Sequence, residues 1–226
     1  MNKTGTIITT FICCLTLLQG LEASAMDNRG ITSETPNAGY FPLIKQGNTG
    51  AAPTTIVISE HDLPGIETAA ANLADDFRKV CGTGAPLIKT DKTEDAEKLP
   101  VKAIIAGSTE SPLIRELFKK RKLNEKELKG KYEKYIMTTV ADPFPGMEEA
   151  LVIAGSDRRG TIYGIYELSE QIGVSPWYDW ADVAPTKRES LYMAPGCYTA
   201  GEPAVKYRGI FPVAYTLLTL PTILRV

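Results

Sequence analysis

The segments Ile104-Ile105-Ala106-Gly107-Ser108 and Val152-Ile153-Ala154-Gly155-Ser156 repeat one device: an unbroken apolar run, a glycine turn and the start of a helix. An apolar run without alternation leaves no face for water, so each fits a strand covered on both sides. A chain that uses this device twice is directed to a sheet with helices packed on it, not to a sandwich, in which apolar and polar residues would alternate. In open sheets of this kind such strand ends lie along one rim, where ligands tend to bind.

The remaining pattern agrees. The run Thr54-Thr55-Ile56-Val57-Ile58 is β-branched and suits a buried strand. Pro64 and Gly65 then open a helix, whose residues Ile66, Ala69, Ala70, Leu73, Phe77 and Val80 form one apolar stripe, and Gly82 is placed to end it in the left-handed region. Leu87 to Thr90 and Val101 to Ala106 are the next strands, followed by Ser111-Pro112, a cap with proline at the first helical position. Ile114, Leu117 and Phe118 carry the buried face of that helix, and Asn124 with Glu127 has capping-box spacing. Tyr135 to Val140 and Ala150 to Ala154 are strands separated by a turn at Pro143 to Gly146. Asp157 caps a last helix through Ile172, with Ile162, Ile165, Tyr166 and Ile172 inward and Gly173 closing it. The expected fold class is α/β, a mixed sheet with helices packed on it.

The two ends of the chain differ from this middle. Lys3, the apolar stretch Ile7 to Leu18 and Ala23-Ser24-Ala25 have the form of a signal peptide, residues 1–25. Its twelve apolar residues rise about 18 Å as a helix, too little for a hydrocarbon core of about 30 Å. Phe11-Ile12-Cys13-Cys14 lacks the small residue that precedes a lipidated cysteine. Export to the periplasm or the outside, without a membrane span, is the expectation. Residues 26–52 are rich in Gly, Asn, Thr and Pro and are expected as a loose lead-in with one short extended piece at Tyr40 to Ile44. An α/β domain is expected over 53–200. Cys81 and Cys197, the cysteines left after cleavage, are too few for a disulfide framework and are expected as free, partly buried thiols.

Several chemistries are excluded. His61 is the only histidine, so no histidine-rich metal site exists, and no G-x-S-x-G elbow accompanies it. His61 is expected as a solvated or structural residue. The chain has no G-x-G-x-x-G or P-loop motif, and Gly82-Thr83-Gly84 suits a helix exit better than a phosphate cradle. A net charge of −2 gives no sign of nucleic-acid binding. Lys119 to Lys134 holds eight Lys/Arg against Glu125, Glu127 and Glu133. This is either a solvated charged surface, the more common case, or an attractor for acidic polysaccharide. The densest segment runs from Gly155 to Val183. Asp157 and Arg158 sit where a strand end meets a helix, and Trp177 and Trp180 are flanked by Asp179 and Asp182. Aromatic faces beside hydrogen-bonding groups suit a sugar, which makes Asp157, Arg158, Trp177 and Trp180 the carbohydrate-facing candidates. Each has a structural reading as well: Asp157 as a cap, Gly160 and Gly164 as close-packing positions, and the tryptophans as seals of a domain edge. The general burial of indoles favours that reading.

The stretch G-S-D-R-R-G-T-I-Y-G-I-Y-E-L-S-E-Q-I-G-V-S-P-W-Y-D-W-A-D-V, followed by Val205-Lys206-Tyr207-Arg208-Gly209-Ile210-Phe211, resembles the N-terminal part of glycoside hydrolase family 115. Those enzymes are exported α-glucuronidases that remove (4-O-methyl)glucuronic acid from xylan. The resemblance covers most of Thr54 to Phe211. It implies an accessory α/β domain, of the kind found in α-glucuronidases and hexosaminidases, which leans on a catalytic (β/α)8 barrel. Residues 201–211 would begin the first barrel strand. Pro212 to Val226 departs from the family, which continues with an acid-bearing segment, whereas this tail has no acid at all. The expectation is a chain cut short by a shifted frame or a broken gene. It would lack the barrel and carry no catalytic residue, metal or cofactor, and its only implied partner would be glucuronoxylan. The competing expectation is a stand-alone module binding acidic polysaccharide. A third makes the tail an interaction segment. Truncation would also leave an apolar face uncovered, with Leu217, Leu218, Leu220, Ile223 and Leu224 adding to it.

Overall fold

The computed structural model describes residues 24–25, 31–47, 50–93 and 99–209. In chain order the elements are β1 (Ser24–Ala25), β2 (Thr32–Ser33), β3 (Phe41–Gly47), β4 (Gly50–Pro53), β5 (Thr55–Ile58) and α1 (Pro64–Cys81). Next come β6 (Leu87–Lys89), β7 (Lys102–Ser108), α2 (Pro112–Lys119), a 3-10 turn (Glu125–Glu127), β8 (Tyr135–Ala141) and β9 (Glu149–Gly155). The last are α3 (Arg158–Ile172), the short α4 (Tyr178–Ala181), β10 (Leu191–Met193) and β11 (Cys197–Thr199).

The main sheet has the order β1-β11-β8-β9-β7-β5-β6. Strands β6, β5, β7 and β9 run parallel, β8 is antiparallel to β9, and β11 is antiparallel to β8. It is the expected mixed sheet. The repeated device turns out to be a pair of neighbours, because Ile105 faces Val152 and Ser108 faces Gly155 across the parallel β7–β9 ladder. Both glycine turns therefore leave the sheet side by side on one rim.

Alternate residues of the central strands go to opposite faces, as the two-residue period of a strand requires. Ile56, Ile58, Ile104, Ala106, Leu151 and Ile153 meet α1 and α3 on one side. Val57, Ala103, Ile105, Ala150, Val152 and Ala154 meet Leu113, Ile114 and Leu117 of α2 on the other. Each fully buried Leu, Ile or Phe contributes about 1.5–3 kcal/mol by leaving water, so two filled faces explain why the runs are apolar throughout. Cys81 packs with the first face and Cys197 with the second, and both thiols are free and partly buried, as expected.

The helix ends follow local chemistry. Gly82 takes φ 84° and its N–H closes on Arg78 O, and Gly173 ends α3 with φ 113°. Asp157 caps α3, its Oδ1 accepting from Gly160 N at 2.8 Å. Gly160 and Gly164 let α3 lie directly on the sheet. A Cβ at Gly160 would come 2.3 Å from Lys134 O, and one at Gly164 2.6 Å from Ile153 Cγ2.

Four expectations are corrected. Ser111 precedes α2 without a capping bond, its hydroxyl being turned to Asp62 instead. Asn124 opens a short 3-10 turn, its Oδ1 accepting from Lys126 N and only its backbone carbonyl from Glu127 N, so no capping box forms. Tyr166 is 44% exposed on α3 and does not point inward, while Ile165 and Ile172 are fully buried. The largest difference lies in residues 26–52, expected as a loose lead-in. Phe41, Leu43 and Ile44 of β3 are fully buried in the core shared by α1 and α3. They do so within a second, antiparallel sheet of order β2-β10-β3-β4, whose central pairing joins β3 to β10 far along the chain.

Residues 201–209 carry no strand, and Ile210 and Phe211, the end of the expected barrel-strand start, lie outside the described residues. Residues 1–23, which hold most of the signal-peptide pattern, and the tail 212–226 lie outside the described residues. The described residues hold one α/β unit and no (β/α)8 barrel, and none of their helices is long and apolar enough to cross a membrane.

If β3 belongs to the core, Phe41→Ala should lower the unfolding free energy by about 3–5 kcal/mol, the cost of deleting a buried phenylalanine ring. Urea unfolding measures it, and a loss under about 1 kcal/mol would return residues 26–52 to the status of a loose segment.

Candidate functional site

After β5 the chain turns onto one face of the sheet as α1, and after β7 it turns onto the other as α2. The crevice between those two strand ends is the switch point at which open α/β sheets tend to hold ligands. Here it is filled with short polar side chains bonded to one another. Ser59 N donates to Asp62 Oδ2 at 3.1 Å, and Ser111 Oγ approaches the same oxygen at 3.4 Å. Ser59 Oγ donates to Asp91 Oδ1 and accepts from His61 N at 3.0 Å. His61 Nδ1 pairs with the other oxygen, Asp91 Oδ2.

These contacts set the charges. Burial pushes the Asp62 carboxyl up, against the hydrogen bonds from Ser59 and Ser111. Burial also pushes Asp91 up, but the bonds from Ser59 and His61 outweigh it and hold the group below its ordinary range. The hydrogen bond that Asp91 accepts, then its charge, raises His61. With both Asp91 oxygens engaged, the cluster stitches the β5–α1 loop to the segment after β6. The His61 side chain remains 78% exposed, in keeping with the solvated or structural role expected of it. Among the described residues, no group of three or more His, Cys, Asp or Glu side chains could hold a metal ion.

The second rim position, after β9, is also committed to structure. Asp157 Oδ1 caps α3, and Oδ2 accepts from Glu133 N at 2.8 Å. Glu133 is 7% exposed, receives Arg159 Nη1 at 2.9 Å, and is paired with Arg208. The hydrogen bonds from Arg159 and then Arg208 hold its carboxyl below the usual range. This cluster fastens residues 202–208 to the sheet, helped by Tyr132 N donating to Glu202 at 3.1 Å. Arg158, the neighbouring candidate, is exposed.

The basic stretch beside it is partly paired with acids. Lys129 meets Glu125, Lys134 meets Glu127 at 3.0 Å, and Lys131 meets Glu202 at 2.8 Å. Glu125, Arg115, Lys119 and Lys129 line an open cleft of about 540 Å3 against Thr109 and Ser156. Its mixture of signs fits the solvated surface, the more common reading of such a run.

Trp177 and Trp180 stand elsewhere. They follow α3, whereas Asp157 and Arg158 begin it, and the 15 residues of that helix put the pairs about 20 Å apart. The structure does not bring the four candidates together. The tryptophans are 63% and 87% exposed, so they do not seal an edge within the described fold. Val205 and Tyr207 are likewise exposed, at 59% and 86%. The residues overlooked in the sequence, Ser59, Asp91, Glu133 and Arg208, are common polar types whose partners lie far off along the chain, and no spacing signals them.

The pH linkage of the His61–Asp91 pair has two limbs. A raised His61 contributes stability that is present below the unfolded histidine pKa and lost as pH rises through the folded one. A lowered Asp91 contributes above the unfolded carboxylate pKa and is lost as pH falls through the folded one. The single histidine should therefore titrate above the ordinary value of about 6.5, and Asp91→Asn should bring it back. A ring-proton NMR titration unaffected by Asp91→Asn would show that the pair does not exist in solution.

Comparison with known proteins gives a consistent identification. The family model described as "Glycosyl hydrolase family 67 N-terminus" matches residues 40–168, more than half of the chain. Among solved structures the chain is similar to BtGH115A, described as a family GH115 4-O-methyl-α-glucuronidase with specificity for decorated arabinogalactans. The identity is 28%, the TM-score 0.54, and the match covers 75% of this chain and 19% of that one. The chain thus spans about a fifth of that enzyme. A match to CpGH84D, at 11% identity and a TM-score of 0.37 over 68% of this chain and 22% of that one, is too slight to carry any inference. No curated protein matches. The family 115 resemblance seen in Gly155 to Val183 is met by BtGH115A. With its mixed sheet, its paired glycine turns and a family match that spans β3 through most of α3, this chain belongs to the family of glycosyl hydrolase family 67 N-terminal domains.

Proposed function

We propose that this chain provides the accessory α/β domain of an exported α-glucuronidase, and that its residues hydrolyse no glycosidic bond by themselves. Hydrolysis of such a bond uses two carboxyl groups facing each other across an open cleft, about 5–5.5 Å apart in retaining enzymes and about 6.5–9.5 Å in inverting ones. The observation that carries the reading is the engagement of three acids at the rim: Asp91 and Asp157 accept on both oxygens, and Glu133 is clamped between two arginines. Asp62, whose raised pKa alone would suit a general acid, has Oδ2 bound by Ser59 and Ser111. The exposed Val205 and Tyr207 suit a segment on its way to a covering partner such as a barrel.

Export is supported by Lys3, the apolar Ile7 to Leu18 and Ala23-Ser24-Ala25. The substrate of the whole enzyme is a polysaccharide decorated with (4-O-methyl)glucuronic acid. Xylan is the one implied by the family 115 resemblance, and decorated arabinogalactan is the one named for BtGH115A. Incubating the pure 226-residue chain with oligomers of both should release no uronic acid above a blank, by chromatography with amperometric detection. Turnover by this chain would refute the non-catalytic assignment.

A second reading is favoured by one observation, the exposure of both tryptophans of the chain. Exposed indole faces are what a module binding acidic polysaccharide would use. It requires a change in tryptophan fluorescence with glucuronoxylan fragments that Trp180→Ala reduces. A flat response up to millimolar ligand eliminates it.

A further inference from the structure

The two helices on the α3 side of the sheet leave a groove between them. It encloses about 380 Å3 and is walled by Asn72, Asp76 and Lys79 of α1, Tyr166 and Ser169 of α3, and Tyr178 at the start of α4. Two tyrosine rings thus face one recess with polar groups of both kinds between them. Asn72 Nδ2 donates to Tyr166 Oη at 2.8 Å, which leaves the phenol proton free to point elsewhere. The Asp76 residue is 5% exposed, its Oδ1 takes Lys79 Nζ at 2.8 Å, and the same ammonium lies 4.6 Å from the centre of the Tyr178 ring. That arrangement fixes the lysine and presents the ring.

The floor of the groove is polar as well. Ser169 is 4% exposed, it lines the recess, and its Oγ is buried with no hydrogen-bond partner. A ligand bearing hydroxyls of its own would meet the Asp76 carboxylate and the Tyr166 phenol while its C–H faces lie on the rings. With Asp76 and Asp179 on the walls against the single Lys79, an anionic sugar is disfavoured. The volume stands near the small end of binding pockets, room for one or two sugar units.

We propose that the α1–α3 groove is a binding subsite for a neutral sugar unit, separate from any uronate the whole enzyme removes. The choice of a saccharide rests on the glycosidase-family assignment, and the choice of a neutral one rests on the charges of the walls. Such a subsite would hold the polysaccharide main chain while its acidic branch is dealt with elsewhere.

Ligand-observed saturation-transfer NMR on the 226-residue chain tests this, with xylobiose, galactobiose and glucuronic acid as probes. At least one neutral disaccharide should give a saturable signal, with affinity on the order of millimolar, while glucuronic acid gives none. Tyr178→Ala should weaken that binding at least about tenfold, the usual loss on removing an aromatic anchor, and Trp180→Ala should leave it unchanged. Asn72→Ala, at an exposed position, supplies the same comparison if Tyr178→Ala unfolds. The subsite is disproved if neither disaccharide binds, if glucuronic acid binds as well as they do, or if the signal survives both groove substitutions. Loss of the signal on Trp180→Ala would transfer the binding to the tryptophan face and disprove it too. A silent groove would not alter the uronic-acid assay, so the two assignments fail separately.

Discussion

The carboxylate of Asp157 joins what would otherwise be two independent pieces of this domain. One oxygen takes the N–H of Gly160 and so begins α3, and the other takes the N–H of Glu133, just before β8. The helix is thereby tied at its first turn to the sheet on which it lies, and the missing Cβ atoms of Gly160 and Gly164 leave room for the Lys134 backbone and for the Ile153 and Tyr135 side chains. Much else is downstream of that seat. The position of α3 decides where its apolar side meets α1 and the sheet, and therefore where the groove between the two helices opens. Glu133, held at φ 51° by the same knot, is presented to Arg159 and Arg208, which fastens the outgoing chain. A charge-assisted bond from a carboxylate to a backbone N–H is among the stronger single contacts available to a fold, and this residue makes two.

Wherever the determining interaction is local, the sequence announces it. The buried strands appear as apolar runs because neighbours on both faces forbid polar residues. The stripe of α1 appears because a helix returns to the same face every three or four residues, and Asp157 and Gly173 mark the ends of α3 through bonds within a few residues of themselves. The mistaken expectations share the opposite property. Phe41, Leu43 and Ile44 lie in a segment rich in turn-forming residues and acquire their burial from β10, some 150 residues onward, which composition cannot reveal. Tyr166 occupies the inward arc of a helical wheel, yet it stands where α3 borders a groove and its phenol meets Asn72.

The candidate site was legible only in part, for the same reason. Asp157 was found through its capping position, and the tryptophans through their rarity. Asp91, Glu133 and Arg208 are abundant types, and their meaning comes entirely from non-local pairing. Nor could the sequence separate Asp157 and Arg158 from Trp177 and Trp180. They are close in the chain, but a helix of 15 residues turns that closeness into a separation about the length of the domain's own strands.

The rim where an open α/β sheet ordinarily binds its ligand is occupied here by internal bonds, and this has a consequence for how the domain can act. Polar side chains that are already paired have little left to gain from a ligand, since any new bond must first break an old one. The crevice between β5 and β7 and the turn after β9 are both in that condition, with Asp62, Asp91, Asp157 and Glu133 all engaged within the protein. The helical side keeps exposed rings and the open walls between α1 and α3 uncommitted. A scaffold arranged this way has used its sheet rim for rigidity and kept its helix surfaces for contact. That division suits the accessory role proposed for the domain.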